Sequence, residues 1–300
     1  MAIQVEMWQP LIEEELYASN EFLNHFHNAD EYVIGGKVVH IPQSGGASPV
    51  TRNRSTYPAT ARRRTDTDIL YALDEFTTDP THIPNADTVE LSYDKTRSVI
   101  REDTGNMMEE VGDWSIYNAI KNLPAPNLLP TTGAASAASA DGATGNRKII
   151  TEKDIRTART LLNKQNVPKR DRYMLLSSEQ INHLADDEKL KYAFQKVIDL
   201  PEGVIAKYAG FYLLERSKVA VVDNSQTIKV PGAASAVDDS ELSLFWQKDF
   251  IERALGDVTM FDNYGRAEYY GDIFSFLIRA QSRARRQDNK GYGALYRAAV

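Results

Sequence analysis

The chain has 300 residues, is 42% hydrophobic and 26% charged, and contains no cysteine. That length suits one large domain or two ordinary ones, and the composition excludes a disordered or fibrous chain; the missing thiols exclude disulfide scaffolds, thiolate zinc sites, iron–sulfur clusters and cysteine nucleophiles. The net charge of −7 has an address: Glu6, Glu13, Glu14, Glu15, Glu21, Asp30 and Glu31 all fall within residues 1–36, which hold no Lys or Arg, so the remainder of the chain is neutral.

The acidic arm reads as a helix. Pro10 suits a first helical position, Glu13 to Glu15 sit where the helix dipole favours anions, and Ile12, Leu16, Leu23 and Phe26 approximate one apolar stripe. The pattern fits a helix packed on its own body and equally an arm reaching a neighbouring subunit. The start of the chain lacks the basic segment and apolar core of a signal peptide, and no apolar run reaches the ~18 residues of a membrane span.

KVVHIP (residues 37–42) is a strand that opens a long polar stretch, residues 43–64, carrying Arg52, Arg54, Arg62, Arg63 and Arg64 without an acid. It has no apolar face to bury, and residues 68–77 (DILYALDEFT) then return as a strand. The simplest shape is a long two-stranded projection, and loops of this length without a core are usually functional. VELSY (89–93) is a further short strand, and residues 103–121 form the clearest long helix, with Met107, Val111, Trp114, Tyr117 and Ile120 at spacings of three and four before Pro124 and Pro126.

TTGAASAASADGATGN (131–146) reads as a mobile linker, and PGAASAVDDS (231–240) as a shorter one. Between them Thr151 and Asp154 open a helix that ends before Pro168. RYMLL (172–176) is a strand, residues 178–184 a short helix, and VIA (204–206), GFYLL (210–214) and VAVV (219–222) are strands. After the second linker the pattern predicts a strand at 242–245, a helix at 248–255 stopped by Gly256, a strand at 258–261 and a long strand at 272–285. Residues 272–300 carry six bases against two acids.

Enzyme signatures fail in turn. There is no phosphate-binding P-loop, HExxH, GxSxG or calcium loop, and GYGALY lacks the third glycine and the strand–helix context of a dinucleotide site. Of His25, His27, His40, His82 and His183 only the first two are close in sequence, at a spacing that a helix splays apart. No catalytic, cofactor-binding or metal-ligating residue is expected. The arginines of the projecting loop suit another protein surface at least as well as nucleic acid, since only Tyr57 interleaves with them.

The order of these elements resembles the tailed-phage major capsid proteins of the Hong Kong 97-type fold. The residues that carry the likeness are VVHIP at the start of the loop, YDKTRSVIRED before the long helix, NVPKRDRYMLLSSEQINHL, GVIAKYAGFYLLERSKV, and FIERALGDVTMFDNYGRAEYYGDIFSFLIRA with its YG turn. The likeness spans essentially the whole chain, through degenerate motifs. It implies an α+β fold with an N-arm (1–34), an extended E-loop hairpin (35–87), a P-domain with a spine helix and linker (88–147), an α/β A-domain (148–250) and P-domain return strands (251–300).

The implied function is a structural, non-enzymatic shell subunit, in hexamers and pentamers of an icosahedral head around double-stranded DNA. Its implied partners are further copies of itself, portal, scaffold and head-completion or decoration proteins, and packaged DNA without sequence specificity, with no membrane; it would be assembled in the bacterial host cytoplasm. Charge complementarity points to Glu13, Glu14, Glu15, Arg62, Arg63, Arg64, Arg283 and Arg285 as inter-subunit contacts. No lysine occurs between Val38 and Asp94, so no covalent cross-link from that loop is expected, and the short arm implies a separate scaffold protein or none. An encapsulin-like cargo shell is the nearest alternative, with a soluble enzyme using dispersed carboxylates and a nucleic-acid module built on Arg62–Arg64 behind it.

Overall fold

The computed structural model describes residues 12, 16, 19–43, 50–55, 57, 58, 61, 67–84, 95–187, 190, 200, 201, 203–266, 268–286 and 288–300. Pro10, Glu13, Glu14, Glu15, Arg62, Arg63, Arg64 and the 89–93 strand lie outside them.

RYMLLS is apolar on successive residues because both its faces are covered. Arg172–Ser177 is the buried centre of a seven-stranded sheet, parallel to Phe211–Arg216 and antiparallel to Ser240–Gln247. Met174, Leu176, Phe211, Leu213 and Phe245 face one way, onto Ile155, Ala158 and Leu162 of the Glu152–Lys164 helix and Ile181 and Leu184 of the Ser178–Ala185 helix. Tyr173, Leu175, Leu244 and Trp246 face the other way, into a larger core shared with the long helix and a long hairpin.

That helix runs from Lys95 to Ile120, about 39 Å at 1.5 Å per residue. It begins eight residues before the apolar spacing suggested. Ile100, Met107, Met108, Val111, Ile116 and Ala119 form its buried side, while Trp114 and Tyr117 pair edge to face at its margin. It packs on the hairpin strand Gly271–Ala284, whose partner is Ile251–Arg266. Asp74–Thr77 and Thr81–Pro84 add to that sheet on one edge and His27–Asn28 on the other.

Two expectations need correction. Residues 248–255 are not a helix: one 3-10 turn, Lys248–Phe250, gives way to the strand beginning at Ile251. Glu, Arg, Ala and Leu favour a helix locally, but Gly271–Ala284 pairs with this segment residue by residue, Ile251 with Ala284 and Ala254 with Gln281, and the sheet wins. Nor are the two small-residue segments loose linkers. Ala135–Ala137 pairs with Asn146–Lys148, Thr144 donates its N–H to the Val237 carbonyl, and a Cβ at Gly142 would lie 2.8 Å from Ser235.

Small side chains leave these backbones accessible to buried arginines. Arg147 donates to Ser240 Oγ (2.9 Å) and to the carbonyls of Thr144, Val237 and Asp239. Arg297 donates to the Ala137 carbonyl at 2.9 Å. Buried Asp154 holds the same region from the helix side, accepting from the N–H and hydroxyl of Thr132 (3.1 and 2.7 Å) and of Thr151 (both 2.9 Å). Asp154→Ala is expected to cost about 3 kcal/mol in urea unfolding, because it strands several donors at once. A loss below about 1 kcal/mol would show that those donors find other partners.

Candidate assembly surfaces

The strand Val38–Gln43 pairs with Thr67–Ala72 and with the short Val33–Ile34, making a three-stranded sheet at the base of the loop that the sequence predicts as a projection. Alternation gives it two different faces. Val39, Ile41, Ile69 and Tyr71 turn inward onto Ala29, Leu73 and Ala254. Ile34 and Leu70 lie on the other face, 64% and 63% exposed, beside half-buried Val38 and His40. Val50 and Tyr57 farther along the loop are exposed as well. An uncovered apolar stripe on a sheet is costly to leave in water.

The long hairpin ends the same way. Phe261, Tyr264, Tyr269 and Tyr270 are exposed near its turn. Between its neighbour segment and the long helix lies a groove of about 510 Å³ lined by Glu75, Asp79, Asp103 and Glu110, with no cation among the described lining residues.

The three-stranded sheet is rooted on the body by close backbone approach and by charge. Gly36, at φ +64°, lets the turn pass over the Ile251–Arg266 strand; a Cβ at Gly256 would sit 2.6 Å from the Gly36 carbonyl oxygen. Arg279 bridges Glu75 and Asp257 at 2.8 and 3.1 Å. Beside them Glu252 is completely buried, with Arg283 and Arg285 each 3.7 Å from one of its oxygens and the Tyr71 phenol facing it.

Burial pushes the Glu252 carboxyl above its ordinary 4.5, against the pull of the two guanidinium groups. A folded-state value above the unfolded one means that folding favours the protonated form. Its contribution is therefore full below about 4.5 and is lost as pH rises through the folded-state value. The unfolding free energy of wild type relative to Glu252→Gln is expected to fall as pH rises through that window; a flat or rising difference contradicts this.

Arg283 and Arg285, 28% and 31% exposed, thus both have a partner within their own chain. The described part of the acidic arm is also folded home. Ile12, Leu16, Phe22, Leu23 and Phe26 are buried in the main core, Asn20 donates to the Met108 carbonyl at 2.9 Å, and Asp30 pairs with Arg253 at 3.2 Å. This settles the open choice for these residues in favour of packing on the body. His25 stacks on Tyr173 with centroids 4.3 Å apart, while His27 faces Asp249 at 3.8 Å. Among the described residues no three His, Asp or Glu side chains gather as a metal site, and no helix is long and apolar enough to cross a membrane.

The family described as phage capsid protein matches residues 30–249. The chain belongs to that family. Its fold is shared with solved capsids at low identity. Mycobacterium phage Che8 matches with a TM-score of 0.61 and 16% identity, over 91% of this chain and 90% of the other. The capsid of Ralstonia phage GP4 matches with a TM-score of 0.65 and 12% identity, over 92% and 87%. A virus-like particle from Pyrococcus furiosus matches at 0.53 and 10%, over 97% and 99%. No curated protein sequence matches. The capsid subunit therefore has the α+β, Hong Kong 97-type fold, and it is a self-assembling structural protein of the virion.

Sequence reasoning missed Glu252, Tyr71, Arg147 and Arg297. Glu252 sits in a segment that reads as a helix, and nothing local marks the two arginines as buried.

Proposed function

We propose that this capsid subunit forms the hexamers and pentamers of an icosahedral head enclosing double-stranded DNA, with portal, scaffold and decoration proteins as partners, and that assembly takes place in the bacterial host cytoplasm. The observation that carries the reading is the exposed apolar face of Ile34 and Leu70 on the three-stranded sheet. A surface of that kind is covered when copies pack on one another. On this reading residues 1–34 are the arm, 35–87 the projecting loop, 88–147 and 251–300 the peripheral domain and 148–250 the axial domain, and the subunit has no catalytic role.

Glu13, Glu14, Glu15, Arg62, Arg63, Arg64, Arg283 and Arg285 are the proposed charged contacts. The four-carboxylate groove beside the long helix offers a further acidic surface to the basic loop of a neighbour. Negative-stain imaging of the expressed protein tests the shell directly, and cryo-EM showing DNA or a portal vertex separates a phage head from a cargo compartment. Replacing Glu13, Glu14 and Glu15 with Gln is expected to weaken assembly more at low salt than at high salt, where screening already erodes the pairing. Assembly unchanged at every ionic strength removes the arm from the contact set.

A further inference from the structure

We propose that the root of the three-stranded sheet carries a binding pocket for a phosphate group. The cavity there measures about 230 Å³, room for several waters at ~30 Å³ each. Three separate elements line it. Tyr71 comes from the three-stranded sheet, Lys121 and Asn122 follow the long helix, and Ser282, Arg283 and Arg286 come from the end of the chain's longest hairpin and just beyond it.

No carboxylate lines the cavity among the described residues. Around it the cations are Lys121, Arg283, Arg285, Arg286 and Lys290. The facing carboxylates are Glu252, held between Arg283 and Arg285, Asp288, shared by Arg286 and Lys290, and Asp74, bound through Asn118. Five positive charges against three negative leave a surplus for a ligand. Among the described residues the Lys121 ammonium is engaged only by the neutral Asn118 amide, at 2.9 Å.

One hydroxyl at the site has no hydrogen-bond partner among the described residues: Ser282 Oγ, on a residue 1% exposed, while the buried Tyr71 phenol is turned to Glu252. Burial holds that phenol protonated beside Glu252, which takes up its hydrogen bond. A buried hydroxyl without a partner marks a place that something else completes. Lys121 and Asn122 after the long helix and Ser282, Arg283 and Arg286 of the hairpin converge on it, and so many donors suit the several oxygens of a phosphate better than the two of a carboxylate. A bound phosphate would tie the end of the long helix to the hairpin. The site itself does not depend on the proposed head; only a nucleic-acid backbone as the source of the phosphate rests on that reading.

The test titrates the full-length subunit with sodium phosphate, and separately with a short DNA duplex, against sodium chloride at matched ionic strength, following 31P line width and thermal midpoint. Phosphate is expected to raise the midpoint beyond chloride. The Lys121→Glu/Arg286→Glu variant, checked for folding by circular dichroism, is expected to bind at least about tenfold more weakly, a loss of ~1.4 kcal/mol. Ser282→Ala weakens binding without touching charge. Displacement of phosphate by the duplex identifies a nucleic-acid backbone as the source, and phosphate binding without displacement identifies the free ion. An effect no larger than that of chloride, unchanged binding in the charge-reversed variant, or displacement by a peptide of residues 1–18 overturns the proposal. Shells seen in negative stain without a phosphate effect overturn this proposal alone; a phosphate effect without shells overturns the shell reading alone.

Discussion

Leu70→Asp is expected to leave the subunit folded and to abolish shell formation. Leu70 is 63% exposed and lies opposite His40 on the outward face of the three-stranded sheet, so the isolated subunit gains nothing from its apolar side chain. At an interface the balance reverses. Burying a carboxylate against apolar surface costs on the order of 3 kcal/mol per contact, and every subunit of a closed shell repeats that contact. The readout pairs urea unfolding of the subunit with negative-stain imaging. Ile34→Asp, on the same face, is expected to act alike. Normal shells from both variants would show that this face points to solvent in the particle.

Trp246→Ala is expected to destabilise the subunit by about 3–5 kcal/mol, a large share of the 5–15 kcal/mol that a folded domain commands. Trp246 is completely buried where the seven-stranded sheet meets the arm. Its ring stacks on Tyr173 with centroids 5.8 Å apart, meets Phe26 edge to face at 5.2 Å, and its indole N–H donates to the His25 carbonyl at 3.0 Å. Truncation opens a cavity and leaves that carbonyl without its donor. Urea unfolding of the disassembled subunit measures the loss. Phe26→Ala removes the other half of the contact, and the two losses are expected not to add, because both variants empty the same volume. A change below about 1 kcal/mol in either variant would mean that residues 22–26 do not rest on this sheet in solution.

Much of this was legible from periodicity and punctuation. The apolar run 172–176, the capping pair Thr151 and Asp154, the KVVHIP strand and the prolines after the long helix each act within a few residues of themselves, and the structure places elements at all of them. The helix expected at 248–255 failed for the opposite reason. Its fate is set by Gly271–Ala284, whose pairing partners lie 25 to 33 residues away and impose sheet pairing on helix-favouring residues.

The small-residue segments show the same limit. Ala, Ser and Gly report only that a stretch buries little of its own; that Arg147 and Arg297 bind its carbonyls, and that Asp154 fastens Thr132, depends on contacts spanning between 22 and 160 residues. The sequence by itself determined most of the elements, the separation of an acidic arm from a basic loop, and the likeness to a capsid fold, because each is carried by local pattern or by linear order. Only the tertiary structure decided that residues 22–26 lie on their own core, that Arg283 and Arg285 answer a buried Glu252, and that Ile34 and Leu70 share one uncovered face. Burial and charge pairing are properties of neighbours in space, and a linear chain does not name them.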